Sequence, residues 1–130
     1  MKKLSESLVE IKKSKFIGLM FEVKTKEEVD IILEEIQKEH KKARHICYAY
    51  KIGTIEKKTD DKEPSGTAGG PILNIINYKG IDNVLIVVVR YFGGTLLGRG
   101  LLTRSYSEAA SKLFVSNNWF LDIILLRNSS

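Results

Sequence analysis

An α+β fold, with a mixed β-sheet backed by helices on one face, is predicted by three features of this 130-residue chain. Residues Thr25 to Lys41 place apolar side chains at helical spacing, which is typical of an amphipathic helix. Residues His45 to Ile52 alternate and are rich in aromatic and β-branched types, which favours a strand. Residues Val84 to Val89 form an unbroken apolar run, which indicates a central strand covered on both faces or nearly so.

The first third of the chain is predicted to form a strand pair followed by a helix. Two short apolar segments, Leu8 to Ile11 and Phe16 to Val23, flank a polar KKSK turn and are expected to pair as a hairpin. Thr25 and Glu28 have the spacing of a capping box, which marks the start of the helix. In the strand from His45 to Ile52, one face is expected to carry Ile46, Tyr48, Tyr50 and Ile52, and the other His45, Cys47 and Ala49.

The second half of the chain is predicted to alternate helix and strand. Pro71 is placed to be the first residue of a short helix that continues to about Asn77. After the apolar run, a second long helix is indicated by apolar residues from Leu101 to Phe114, and Trp119 to Leu126 is predicted to be a last strand. The order ββαβαβαβ favours helices packed on one sheet.

Composition predicts one cytoplasmic domain. The chain is 43% hydrophobic, and a chain of this length buries roughly two-thirds of its unfolded surface, so one core is sufficient. The single cysteine, Cys47, excludes an internal disulfide and fits a reducing compartment. The N-terminal sequence lacks a secretory apolar core, and no stretch reaches the roughly 20 apolar residues that span a bilayer, so no membrane contact is expected. The formal net charge of +5 favours acidic partners, although it also simply promotes solubility.

Seven of the ten glycines and both prolines lie in two stretches, which we call the first glycine segment (Asp60 to Pro71) and the second glycine segment (Arg90 to Tyr106). Clustered glycine indicates backbone conformations or close approaches that a side chain would block. These two segments are therefore the predicted functional surface.

The second glycine segment is predicted to present an anion site. A strand ends, glycines follow at 93, 94, 98 and 100, and a helix begins, an arrangement that directs free backbone N–H groups at an anion. A Walker A loop is excluded because Arg99 and Gly100 stand where that motif needs Lys and then Ser or Thr. No acidic residue occurs between Asp82 and Glu108, whereas Arg90, Arg99 and Arg104 cluster near the predicted helix start.

Two interpretations of these arginines remain open from the sequence. An anion bound between them would offset their unfavourable position at the positive end of a helix dipole. Alternatively, they point into water or pair with Asp60, Asp61 and Glu63 of the first glycine segment. The three acids lack the spacing of a calcium loop, so no metal site is predicted.

Other reactive side chains are interpreted as structural. Ser65 and Thr67 either contact phosphate or serve as turn and cap groups. His45 has no identified nucleophile beside it, and Cys47 is expected to be a small buried residue, so no catalytic residue is assigned. Aromatic residues near the basic segment are candidates for base stacking but are expected mostly to pack the core, namely Tyr48, Tyr50, Tyr91, Phe92 and Tyr106.

Four segments together resemble the YigZ/IMPACT family. They are KKSKFIG (12–18), ARHICYAY (43–50), DDKEPSGTAGGPIL (60–73) and VVVRYFGGTLLGRGLLTRSYSEA (87–109). The resemblance implies the fold of the second domain of a small-subunit ribosomal protein, a sheet of four or more strands backed by helices. It also implies that residues 1–130 are a single Impact N-terminal-like domain without the second, ferredoxin-like domain of bacterial relatives.

The resemblance further implies a translation-linked regulator, because eukaryotic relatives act by binding a ribosome-associated activator of a stress kinase. Leu101 and Ser105 depart from the glycine and alanine associated with the corresponding family positions. The positions that match the family motif are Asp60, Asp61, Glu63, Pro64, Gly66, Thr67, Gly69, Arg90, Tyr91, Gly93, Gly94, Gly98 and Gly100. Ser65, Arg99 and Arg104 complete the candidate binding surface on the arguments given above.

Three hypotheses follow. The leading one is a non-enzymatic module that binds RNA, the ribosome or a translation-associated protein through the two glycine segments, with no cofactor. The alternative is an enzyme or sensor that binds a phosphorylated ligand or nucleotide at the loop from Gly93 to Gly100. In the third, the two segments pack against each other as structural loops, and substitution of Arg90 lowers stability without affecting binding.

Overall fold

The computed structural model describes residues 2–115, which form five strands, three α-helices and a final 3₁₀ turn. The α+β class predicted from the sequence is confirmed. In chain order the elements are β1 (Lys2–Ile11), β2 (Ser14–Glu22), α1 (Lys26–Glu39), β3 (His45–Ile52), β4 (Ile55–Thr59), α2 (Gly69–Lys79), β5 (Val84–Tyr91), α3 (Gly98–Ser111) and the 3₁₀ turn (Lys112–Phe114). The strand predicted at Trp119 to Leu126 lies outside the described residues.

The five described strands form one sheet in the order β1-β2-β5-β3-β4, and every neighbouring pair is antiparallel. The prediction of a mixed sheet is therefore wrong for this part of the chain. Helices between strands usually join parallel neighbours. Here α1 does join two parallel strands, β2 and β3, but β5 inserts between them and runs opposite to both.

Helices cover both faces of the sheet rather than one. Strand β5 is buried along nearly its whole length, as the apolar run predicted. Its residues Val84, Ile86 and Val88 pack with α2 and α3, whereas the alternate residues pack with α1. Because a strand directs successive side chains to opposite faces, an unbroken apolar run requires a layer on each side. The prediction that helices lie on one face is corrected accordingly.

The predicted elements were mostly found, with shifted ends. The β1–β2 hairpin turns at Lys12 and Lys13, whose φ angles of 49° and 69° are those of a tight two-residue turn. Thr25 caps α1 by accepting a hydrogen bond from the N–H of Glu28. Helix α2 begins at Gly69, two residues before the predicted start at Pro71. Among the described residues, no helix is long and apolar enough to cross a membrane.

Candidate functional site

The two glycine segments meet in a cleft with a volume of about 460 Å³, which we call the basic cleft. It lies where β5 ends, α3 begins and β3 starts. Antiparallel pairing of β3 with β5 places the start of the first beside the end of the second, with His45 opposite Arg90. The lining residues are Arg44, His45, Lys62, Glu63, Pro64, Arg90, Phe92, Leu96, Leu97, Gly98, Arg99 and Leu102.

Arg90 and Glu63 form a buried ion pair at the base of the cleft. The Arg90 and Glu63 side chains are only 5% and 2% exposed. Nη1 of Arg90 donates to both carboxylate oxygens of Glu63, at 3.0 and 2.8 Å. Removing one partner of an ion pair this deeply buried strongly destabilises the folded protein, because the other charge is left buried without a partner. Arg90 thus joins the two glycine segments internally, and its charge is already matched.

Two further side chains complete the surroundings of Glu63. The hydroxyl of Tyr106, on α3, donates to Oε2 of Glu63, and burial raises the pKa of Tyr106, so the phenol keeps the proton that it donates. Nε2 of His45 lies 3.3 Å from Oε1. The Glu63 carboxylate is therefore held from β3, β5 and α3 at once, as a buried charge requires.

His45 and Cys47 both contact the first glycine segment. Nδ1 of His45 lies 2.7 Å from the carbonyl oxygen of Asp61, and its Nε2 faces the Glu63 carboxylate, so the ring is held between two groups of the first glycine segment. The thiol of Cys47 is buried and donates to the carbonyl of Asp60 at 3.2 Å. Burial raises the pKa of Cys47, which keeps it a thiol rather than a nucleophilic thiolate.

Asp60 holds the first glycine segment in shape. Its Oδ1 accepts from the N–H groups of Ala68 and Gly69, at 3.1 and 2.8 Å, and its Oδ2 accepts from Gly66 at 2.9 Å. Burial alone would raise the pKa of Asp60, but the three N–H donors outweigh it and hold the pKa below its usual value. Asp60 therefore caps α2 from a distance in sequence, satisfying donors that the helix start leaves unpaired.

Asp61 acts as an extension of the sheet. Its Oδ2 accepts from the backbone N–H of Ile46 at 2.6 Å, beyond the point where β4 pairs with β3. Thr67 is likewise used locally, because its hydroxyl donates to the carbonyl of Pro64 at 2.7 Å. The polar side chains of the first glycine segment thus mainly fix its backbone, which corresponds to the turn and cap interpretation of Thr67.

Two glycines allow close backbone approach. A Cβ on Gly93 would lie 2.1 Å from the carbonyl carbon of Lys13, in the β1–β2 turn, and its N–H donates to the Ser14 hydroxyl at 3.1 Å. A Cβ on Gly69 would lie 2.8 Å from the backbone of Thr59. Each glycine segment is therefore seated against a neighbouring hairpin, and this contact positions the walls of the cleft.

The structure does not bring the three predicted arginines together. Arg99 lines the cleft and is exposed, and its Nη2 donates to the carbonyl of Ser65 at 2.6 Å. Arg104 is exposed on α3 and does not line the cleft. Tyr91 faces α1 instead, where its hydroxyl hydrogen-bonds His40. Arg99 is thus the one predicted arginine that both lines the cleft and is exposed.

Sequence reasoning missed several lining residues. Arg44 and Lys62 supply exposed positive charge. The apolar wall is formed by Phe92, which was a candidate for base stacking, and by Leu96, Leu97 and Leu102. Antiparallel pairing was the missing signal for Arg44, because its N–H donates to the Arg90 carbonyl at 2.8 Å. Leu102 was predicted only as part of the second long helix, and no role was predicted for Leu96 or Leu97.

An α+β domain with a basic cleft between two glycine-rich segments is the class of protein that this fold and site define. The family model for the Impact N-terminal domain matches residues 12–114. The chain therefore belongs to the YigZ/IMPACT family, which confirms the resemblance noted from its motifs.

Similar proteins of known sequence include IMPACT family member YvyE of Bacillus subtilis, 41% identical over 114 residues that cover 85% of this chain and 52% of the relative. IMPACT family member YigZ of Escherichia coli is 40% identical over 108 residues, covering 79% of this chain and 53% of YigZ. A crystal structure described as that of a hypothetical protein superposes with a TM-score of 0.81 at 34% identity, covering 87% of this chain and 60% of the other. The chain spans about half the length of these curated relatives.

Proposed function

We propose that this chain is a non-enzymatic, translation-linked regulatory module that binds RNA, the ribosome or a translation-associated protein through the basic cleft. Membership of the YigZ/IMPACT family supports the link to translation. The main observation in support of this binding surface is the distribution of charge in the cleft. The buried Arg90 is neutralised by Glu63, whereas no further acid in the lining pairs with the exposed cations.

The charge division follows from burial. Among the lining residues, Glu63 is the single acid, and Arg90 already neutralises it. Arg44, Lys62 and Arg99 are exposed around the same opening. Like charges held close together repel one another, so an acidic partner gains from binding there. In this proposal the buried pair builds the cleft and the exposed cations bind the partner.

A regulatory rather than catalytic role is supported by the state of the reactive groups. The His45 side chain is only 14% exposed and lies between Asp61 and Glu63, and Cys47 is buried as a thiol. Catalytic activity would require a proton acceptor or a nucleophile that is accessible at the surface of the cleft. The side chains that line this cleft offer charge and apolar contact instead.

The experiment is co-sedimentation with ribosomes across a range of salt concentrations, using the Arg99→Gln variant. We expect binding about 5- to 10-fold weaker, with a shallower salt dependence, because one cation at the partner contact is lost. Arg104→Gln is the matched control, since Arg104 is exposed on the same helix but outside the cleft. Equal losses in the two variants, or none in Arg99→Gln, would contradict the proposal.

A second candidate function, binding of a phosphorylated ligand or nucleotide, is favoured by the start of α3. Leu97 at the N-cap supplies no side-chain hydrogen bond, and the first turn contains no acid. Backbone N–H groups at such a start suit an anion. A thermal-shift series with phosphate and nucleotides tests this function, because a ligand at a hundred times its Kd adds about 2.7 kcal/mol of stability. If no compound raises the melting temperature, binding of the compounds used is excluded.

A further inference from the structure

We infer that the basic cleft is built for an acidic protein segment that carries an apolar side chain, rather than for RNA. The inference rests on the proposed function, in that it names the chemistry of the partner for the same cleft. Three observations support it: an apolar wall with one strongly exposed leucine, a rim of cations, and a lining whose exposed aromatic ring, Phe92, already stacks with Arg44.

The apolar wall is exposed at a defined place. Leu96 is 83% exposed, and it sits in the loop between Gly94 and Gly98, whose φ angles of 93° and 76° turn the chain sharply on either side. Leu97, the next residue, instead packs against the core under α3. Leu97 anchors the loop to the core, and Leu96 therefore lies exposed at the opening of the cleft. An exposed leucine in a concave site favours an apolar ligand group.

Cations surround this apolar wall. Arg44 lines the cleft from the residue just before β3, Lys62 from the first glycine segment and Arg99 from α3. Arg99 donates a hydrogen bond to the Ser65 carbonyl, which ties its guanidinium to the first glycine segment across the cleft. Carboxylates on both sides of an apolar anchor would meet these cations. An acidic segment with a central leucine, isoleucine or phenylalanine fits that arrangement.

RNA fits the cleft less well, because single-stranded RNA relies on stacking of its bases on exposed aromatic rings or on guanidinium planes that are not already stacked. Two aromatic rings line the cleft, Phe92 and His45, and the His45 side chain is only 14% exposed. The guanidinium carbon of Arg44 lies 4.5 Å from the centroid of Phe92, with that of Arg90 at 5.9 Å. Tyr106 is fully buried, and Tyr91 faces α1. The remaining apolar lining is leucine and proline, which do not stack on bases.

The test is selection of a randomised 12-residue peptide display library on the full chain, with counter-selection on the Leu96→Ser variant. We expect enrichment of sequences in which Asp or Glu flank a leucine, isoleucine or phenylalanine. The consensus peptide is then synthesised and its binding measured by titration calorimetry. Leu96→Ser should weaken binding about tenfold or more, because the leucine side chain that the bound peptide would cover is lost from the contact. Tyr78→Ser is the matched control, as Tyr78 is also 83% exposed but lies on α2, outside the cleft.

Competition separates this inference from the proposed function. The consensus peptide is expected to displace the chain from ribosomes, whereas oligo(U) RNA at equal charge is not. The inference is overturned if oligo(U) displaces the chain and the peptide does not, or if the selection enriches no acidic consensus. In either case, ribosome binding that still depends on Arg99 would continue to support the proposed function. If Arg99→Gln has no effect on ribosome binding, the proposed function fails first.

Discussion

Glu63 and Arg90 lie 27 residues apart in the chain and meet with almost no exposure to water. The sequence offered both an anion site and internal pairing for Arg90, and it could not decide between them, because the choice depends on which acid reaches the end of β5. The structure shows that Glu63 reaches it, while Asp60 and Asp61 are used by backbone N–H groups. Arg90 is thus engaged within the chain, whereas partner binding by Arg99 stays a prediction.

Glu63→Gln is expected to lower the free energy of unfolding by about 3–5 kcal/mol, because Arg90 then remains buried without a matching charge. The change keeps the size of the side chain, so the loss reports charge rather than packing. Urea unfolding of the variant measures it. Glu34→Gln is the matched control, since Glu34 is 69% exposed and pairs with the similarly exposed Lys38 on α1 at 3.4 Å. A loss as small as that of the control would show that the pair contributes little.

Asp60→Asn is expected to cost about 1–2 kcal/mol at neutral pH, because a charged cap becomes a neutral one. The pKa of Asp60 is lowered in the folded state. Its contribution to the free energy of unfolding is therefore fully present above the unfolded pKa of about 4, and it is lost as the pH falls through the folded pKa. The stability difference between wild type and variant should therefore shrink in acid. Denaturant titrations from pH 7 to pH 3 measure it, and a difference that widened in acid would contradict this assignment.

At the scale of elements, sequence periodicity predicted the strands and the helix whose side chains are buried, and it missed the strand whose side chains are exposed. The apolar positions of β3, β5 and α1 are set by the core, and their sequences show it. Strand β4 was missed because Ile55 to Lys58 are all exposed at the sheet edge, so no alternation of burial marks them. The order of the strands was equally hidden, since no local pattern states that β5 inserts between β2 and β3.

Gly93→Ala tests the contact between the second glycine segment and the β1–β2 hairpin. The added Cβ would lie 2.1 Å from the backbone of Lys13, so the loop or the hairpin must shift, at a cost of about 1–3 kcal/mol or more. Gly100→Ala is the matched control in the same segment, because a Cβ there meets open space within α3. Alanine is the better helix former, so this control should be neutral or stabilising by up to about 1 kcal/mol. Thermal unfolding ranks the two variants, and equal effects would place the contact in doubt.

For the whole molecule, the sequence predicted the α+β class and located the two segments that form the cleft. It did not predict that helices cover both faces, although the apolar run in β5 contained that information. A strand buried on each side demands two layers, and α1 supplies the second. The apolar wall of the cleft was hidden for a different reason. Leu96 and Leu97 are adjacent in sequence and have opposite fates, one exposed and one packed on the core.

The two layers share β5, so they are expected to unfold together. Leu85 points towards α1 and Ile86 towards α2 and α3, and both are fully buried. Leu85→Ala and Ile86→Ala should each lower the free energy of unfolding by about 2–5 kcal/mol, with one transition retained in both. Circular dichroism and tyrosine fluorescence, recorded on the same urea series, should give coincident midpoints. If Leu85→Ala instead produced an early partial transition, the α1 layer would be an independent unit, and the central position of β5 would not couple the two faces.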